Sequence, residues 1–310
     1  MKNKLVAILS KLKSTGFFYI FSSQILVKIV SFCGAMLIVR ILSKDDYGLY
    51  SYTTNILSIF LLLDGLGTAS AALQFSSEYF MDHEKKYAYM KYAFLTGFLF
   101  NIIVCCFIAI SSQIISFKIL GARQVLLLMS LQPLVSYFLA TIQTFLRTEI
   151  KNKEYSIFNT IQSVLTIIAT IGGAYWKGVN GVIICNYVAF LIIAAYGLYV
   201  SRDYLQIYKN KTHLKNLEKK DLMKYAVVSS FNNAISSLLY TIDIFVIGIF
   251  FPDTAIIASY KTATLIPFAL NFIPSAIVVY IYPYFARNNQ NHHWIKVKYL
   301  KLIKYFGIFN

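Results

Sequence analysis

Charge is what this sequence has least of. Only 14% of its 310 residues are charged and only 13 are acidic, against about 25% charged in an ordinary soluble chain. The scarcity is local. Eight apolar stretches, 17–39, 49–72, 92–117, 125–146, 155–176, 179–200, 225–250 and 256–285, hold just four charges, Lys28, Asp64, Asp243 and Lys261. Crossing a bilayer as helix takes roughly 20 apolar residues, and every stretch is long enough. A soluble domain is excluded, and the fold class predicted is an all-α polytopic membrane protein. Cysteine is sparse as well. Cys33, Cys105, Cys106 and Cys185 all fall inside the apolar stretches, where they read as small buried hydrophobes; no spacing suggests disulfides or a zinc site. The four histidines, His83, His213, His292 and His293, lie between stretches and read as solvated surface. No metal or cofactor is expected. The loops predicted to lie outside are too short to fold as a catalytic domain, so the chain is not expected to be an enzyme.

What is present is positive charge on one side. The formal charge of +16 invites a nucleic-acid reading, but its placement argues otherwise. With the N-terminus inside, segments 1–16, 73–91, 147–154, 201–224 and 286–310 carry 22 of the 29 Lys and Arg, and the outside segments carry five. That bias predicts a cytoplasmic N-terminus by the positive-inside rule, with attraction to anionic lipid heads as a by-product. No nucleic-acid partner is expected. In residues 1–16, Leu5, Ile8, Leu9 and Leu12 repeat at helical spacing, which predicts an amphipathic segment on the inner leaflet.

The longest connection, 201–224, is strongly basic and reads as a cytoplasmic inter-lobe linker. It separates a first six-helix lobe, 17–200, from a partial second lobe, 225–310, with two complete helices and the start of a third. An offset of 210 brings Tyr50 onto Tyr260, Thr54 onto Thr264 and Ile56 onto Ile266, a pattern of parallel repeats that places a site between lobes near the midplane. A matching second lobe would need further helices, so a C-terminally truncated chain is expected.

Charges inside spans are costly and call for explanation. Lys28 lies mid-span on one helical face with Gln24 and Ser31, a candidate cleft lining; it reads either as an ammonium that meets phosphate or as one half of an ion pair with Asp64 or Asp243. Asp243 ends a polar stripe of Ser229, Asn233, Ser236 and Tyr240, a wet surface or a helix contact, and is a candidate coupling or ion-pair group. Asp64 precedes Gly65-Leu66-Gly67, a weak point in the second helix, and is the other such candidate. Lys261 can snorkel to the interface. Arg40 reads as an interface anchor or a substrate contact. Pro267 and Pro274 are candidate hinges or static bends in the eighth span.

Residues 21–79, with Arg40 ahead of Ser-Lys-Asp-Asp-Tyr-Gly (43–48), Leu-Gly (66–67) and Glu78-Tyr79, resemble the start of bacterial polysaccharide flippases. These form the polysaccharide transporter branch of the multidrug/oligosaccharidyl-lipid/polysaccharide (MOP) exporter superfamily. Residues 225–251, with Ile-Asp (242–243) and Ile-Gly (247–248), resemble its seventh helix, and 178–184 the opening of the sixth. The resemblance implies a MATE-like bundle of two lobes facing each other in a V. It implies flipping of a lipid-linked oligosaccharide, typically on undecaprenyl pyrophosphate, across the cytoplasmic membrane for O-antigen, capsule or exopolysaccharide synthesis. The partners it implies are that glycolipid and membrane lipids, with room for other polysaccharide assembly proteins. The rival readings are a drug or organic-cation exporter on the same architecture and a non-transporting scaffold of an assembly complex.

Overall fold

A computed structural model describes the backbone over residues 17–114, 121–250, 272–288 and 290–306; side chains at 17, 44–45, 239–250, 272–277, 279 and 301–306 lie outside what it describes. Among the described residues there is helix and no strand. The helices are α1 (Phe17–Ile41), α2 (Lys44–Phe60), α3 (Thr68–Glu78), α4 (His83–Ile114), α5 (Ala122–Leu128), α6 (Gln132–Thr148), α7 (Asn152–Val200), the single turn α8 (Gln206–Lys209), α9 (Asn216–Phe250), α10 (Phe272–Arg287) and α11 (His292–Phe306). Local chemistry sets several ends. The Ser43 hydroxyl accepts the Asp46 N–H at 3.0 Å and caps α2, satisfying a donor the first turn leaves open. Pro133 sits at the start of α6, where its missing N–H costs nothing.

Five described segments are long and apolar enough to cross a membrane: Phe18–Ile41, Asp46–Glu78, His83–Ile114, Ala122–Thr148 and Asn152–Val200. The last holds two of the apolar stretches read from sequence. As one straight rod it would run roughly 70 Å, far beyond a bilayer. It is a hairpin instead. Lys177 and Gly178 leave helical geometry, Gly178 with φ +55°, and the arms return against each other. A Cβ on Gly173 would stand 2.4 Å from the Gly181 carbonyl oxygen, a closeness that eight residues of straight helix forbid. Thr170 donates across the arms to Asn186 Oδ1 at 3.1 Å. Small residues let the two backbones touch, the usual device for packing helices in lipid.

The second apolar stretch reads as one long helix, but the structure breaks it. Leu61–Gly67 forms a tight turn between α2 and α3, with Gly65, Leu66 and Gly67 at φ of +55°, +48° and +73°. Asn101, wholly buried on α4, repairs the break. Its Nδ2 donates to Asp64 Oδ1 at 2.7 Å and to the Pro133 carbonyl at 3.1 Å, and its Oδ1 accepts the Gly65 N–H at 2.9 Å. One amide thus replaces part of the hydrogen bonding that a broken helix in lipid cannot leave open. Gly67 makes room for α9, since a Cβ there would meet the Ala226 carbonyl oxygen at 2.2 Å.

Below, the helices α1 to α7 are called the first lobe. The helices α9, α10 and α11 are called the second. The connection between lobes is anchored, because Tyr204 and Ile207 are buried. Tyr204 packs edge-on to Phe145 at 5.7 Å and shares a 2.6 Å hydrogen bond with the Thr141 hydroxyl. The end of the bundle that bears 79–91, 149–153, 201–220, 287–288 and 290–291 is called the basic end below.

Candidate binding site

A cavity of about 640 Å³ lies among α1, α2, α6 and the first arm of α7, within the range of ligand pockets, roughly 300–1,000 Å³. From α1 come Gln24 and Ser31 with the apolar Val27, Ala35 and Ile38. From α2 come Tyr47, Tyr50, Ser51, Thr54 and Asn55, spaced three and four apart so that one face carries them all. The first arm of α7 adds Tyr155, Asn159, Gln162, Ser163, Thr166 and Thr170, and α6 adds Gln143. Two of the lining helices, α1 and the first arm of α7, approach closely at Gly34, where a Cβ would stand 2.6 Å from the Ile167 side chain.

Among the described residues, no Asp, Glu, Lys or Arg lines this cavity. Its polar groups are hydroxyls and amides, and three of the amides are linked. Gln143 Nε2 donates to Asn159 Oδ1 at 3.0 Å and to Gln162 Oε1 at 2.9 Å. Such a wall offers directional hydrogen bonds without a net field.

The residues singled out from sequence divide unevenly. Gln24 and Ser31 line the cavity. Lys28 does not: at about 100° per residue it lies roughly 40° around α1 from Gln24, on the flank of the lining face, with its side chain exposed. It enters none of the three ion pairs among the described residues, and Asp64 is engaged by Asn101 outside the cavity. Asn233 and Ser236 are exposed on α9 and do not reach the lining; Ser236 Oγ donates to the Asn232 carbonyl at 2.8 Å. Arg40 is exposed in the last turn of α1. The Tyr240, Asp243 and Pro274 side chains, and all of Pro267, lie outside the described residues.

The lining of α7 escaped the sequence reading although its signal was present. Asn159, Gln162, Thr166 and Thr170 recur at steps of three and four, the same kind of stripe that marked Ser229 to Asp243. Gln143 gave no such signal, because it is a single amide in the interior of α6, among apolar residues and small hydroxyls.

At the basic end the two lobes are bonded together. The Tyr225 and Tyr282 hydroxyls meet at 2.6 Å, and Tyr282 donates onward to Gln74 Oε1 at 2.9 Å. Gln74 Nε2 then donates to Glu78 Oε1 at 2.6 Å. Arg287 Nη2 donates to the Thr148 carbonyl at 3.0 Å, where it caps the C-terminus of α6, and its guanidinium covers the Phe80 ring at 3.3 Å. Within the first lobe a buried ion pair joins Lys86 Nζ to Glu149 Oε1 at 2.6 Å. Lys85 reaches Glu218 of α9 at 2.9 Å, and this ammonium holds the Glu218 carboxyl below its ordinary value.

Residues 14–289 match a family model described as polysaccharide biosynthesis protein. No curated protein matches the chain. Among solved structures it is similar to a MATE in complex with Br-NRF, with TM-score 0.67 and 12% identity over 93% of this chain and 71% of that one. It is similar to an outward-facing multidrug resistance MATE family transporter of the MOP superfamily, with TM-score 0.71, 15% identity, and 93% and 68% covered. A MOP superfamily transporter from Pyrococcus furiosus, described as having reverse polarity of its binding pocket, matches with TM-score 0.63, 13% identity, and 88% and 65% covered. At these identities the likeness is one of fold, and the chain spans about two thirds of the length of these structures.

Proposed function

The chain belongs to the polysaccharide biosynthesis protein family and is a multi-pass membrane transporter of the MOP type, and from that premise we propose that it flips a lipid-linked oligosaccharide, carried on a polyprenyl pyrophosphate, across the bacterial cytoplasmic membrane. The observation that carries this reading is the uncharged cavity of the first lobe. A glycolipid can leave its tail in the bilayer, but its sugars must exchange water for other hydrogen-bonding partners on the way across. Amides, hydroxyls and tyrosines supply those partners, and the rings of Tyr47, Tyr50 and Tyr155 add faces on which sugar rings stack. An organic cation asks for something else. Moving one through a low-dielectric site calls for carboxylates, and the described lining has none.

In this reading Lys28, on the flank of the cavity face, meets the pyrophosphate as the head passes. Asp64 and Asp243 remain the candidates for coupling, and Arg40, Asn233, Ser236 and Tyr240 for secondary contacts with the head; Pro267 and Pro274 remain candidate hinges. The basic end faces the cytoplasm by the positive-inside rule. The Tyr225–Tyr282–Gln74 chain and the Arg287–Thr148 contact then close the cavity toward the cytoplasm, and the lobes 17–200 and 225–310 exchange access by parting there, joined through 201–224. The test is rescue of surface polysaccharide in a strain deleted for its own flippase, using this chain and the complete reading frame that encodes it. Restored polymer supports the reading, and rescue by neither contradicts it.

A further inference from the structure

The junction of the two lobes holds a cation that its closed form uses only in part. We propose that the seam at the basic end is a docking site for the diphosphate of an incoming lipid, and that Arg287 reads it: the anion draws the guanidinium off the Thr148 carbonyl and so unlocks the lobes. The proposal rests on the flippase reading and deepens it.

Arg287 closes α10, and its Nη2 donates at 3.0 Å to the carbonyl of Thr148, the last residue of α6. A guanidinium has five N–H donors in a planar fork. This contact spends one of them on a neutral acceptor. Nε is buried and meets no acceptor among the described residues, and Arg287 enters none of the three ion pairs found there. A second cation lies close by. Arg287 and Lys86 share the Phe80 ring, at 3.3 and 4.9 Å from its centroid. Glu149, next to Thr148 in the chain, is paired with Lys86 at 2.6 Å.

A cavity of about 280 Å³ opens beside this group, and Arg287, Asn288, Gln290, Asn291 and Glu78 are in its wall. Its depth suits a lipid head. Arg287 lies two residues beyond the apolar stretch 256–285, where the inner leaflet gives way to water, so a diphosphate carried in that leaflet is already at its level. A phosphate oxygen is also the better acceptor. Hydrogen bonds between ionised groups are roughly twice as strong as neutral ones, and the fork of an arginine matches two phosphate oxygens at once. Exchange of the Thr148 carbonyl for the diphosphate is therefore favoured, and it removes a bond that joins α10 to α6. The amides of Asn288, Gln290 and Asn291 add neutral donors. Glu78 acts the other way. Its carboxylate keeps the anion from binding so tightly that it stays. Glu78 also ends the Tyr225–Tyr282–Gln74 chain, so repulsion there loosens the other link between the lobes.

The experiment puts spin labels on the two lobes at the basic end, at Lys153→Cys and His292→Cys, both exposed positions. The full chain, freed of its four native cysteines, is reconstituted in proteoliposomes, and double electron–electron resonance reads the spacing of the labels. A polyprenyl pyrophosphate without sugar is expected to raise the population of long distances severalfold. The polyprenyl alcohol, inorganic pyrophosphate at the same bulk concentration and vesicles enriched in phosphatidylglycerol are expected to leave it in place. Arg287→Gln keeps an N–H for the Thr148 carbonyl but no charge, and is expected to start closed and lose the response. Arg287→Lys keeps the charge without the fork, and is expected to need about tenfold more lipid for half opening. An equal response to the diphosphate and the alcohol, or one that survives Arg287→Gln, would overturn the proposal and leave the flippase reading standing. If Arg287→Gln does not fold, the Lys variant decides, and an unshifted midpoint overturns the proposal. Equal opening by inorganic pyrophosphate or by phosphatidylglycerol would overturn it too, by assigning the site to a free anion or to bulk lipid. Opening by the polyprenyl pyrophosphate in a chain that moves no glycan would support the proposal and overturn the flippase reading.

Discussion

Asn101 shows how much one side chain can carry in a membrane bundle. It is wholly buried, it makes three hydrogen bonds, and each goes to a group that lipid could not satisfy. Replacing it with Leu removes all three and strands the Asp64 carboxylate. Asn101→Leu is therefore expected to lower stability by about 3 kcal/mol or more, read as a fall in the thermal midpoint in detergent; an unchanged midpoint would contradict the role given to the break. Lys28 makes the opposite case. With no ion pair in the described structure and an exposed side chain, it has little structural work to lose. Lys28→Ala is expected to leave the midpoint in place while removing flipping, and Lys28→Arg to keep part of it. Equal flipping by Lys28→Ala and the unmodified protein at matched membrane levels would eliminate its phosphate role. Only part of this was visible in the sequence. Asp64 beside Gly-Leu-Gly marked a break, and Gln24 and Ser31 shared a face because helical spacing is local. Asn101 is 37 positions from Asp64, and nothing local announces such a pair. Gln143 was equally silent, a single amide among apolar residues and small hydroxyls, with its partners on another helix.

Helices expose a different balance. That the long apolar segments cross a bilayer follows from hydropathy, because a bilayer forces the backbone to satisfy itself within each span, but the breaks and the hairpin within them do not. How they meet does not follow. The hairpin of α7 depends on Gly173 and Gly181 facing each other, and α9 seats itself where Gly67 has no side chain. Absent atoms of that kind leave no hydropathy signal. The junction of the lobes is also written in scattered polar residues. Tyr282 joins Tyr225 of α9 to Gln74 of α3 through one hydroxyl, so Tyr282→Phe deletes the link while keeping the ring. In a background without the four native cysteines, a cysteine at Ser163, inside the cavity, reports on closure. Tyr282→Phe is expected to raise its labelling by an impermeant thiol reagent applied from the basic end severalfold, roughly the effect of removing one or two hydrogen bonds. Labelling that stays the same would show that the lobes are held shut by other contacts.

At the level of the whole molecule, the lobes meet at the basic end, and the uncharged cavity is built entirely from the first lobe among the described residues. The sequence reading placed the site between lobes near the midplane and gave charge the leading part. Asp243 and Tyr240, on which that site drew, lie outside the described residues, and the cavity found among the described residues is lined by neutral groups. Family membership and fold leave two cargoes open, a lipid-linked glycan and an organic cation, and the wall favours the first. The direct measurement loads proteoliposomes containing the purified chain with a polyprenyl-pyrophosphate oligosaccharide in one set and a fluorescent organic cation in another, and follows the transbilayer movement of each. The account predicts that the glycan crosses faster than in protein-free vesicles while the cation does not; movement of the cation with a stationary glycan would contradict it.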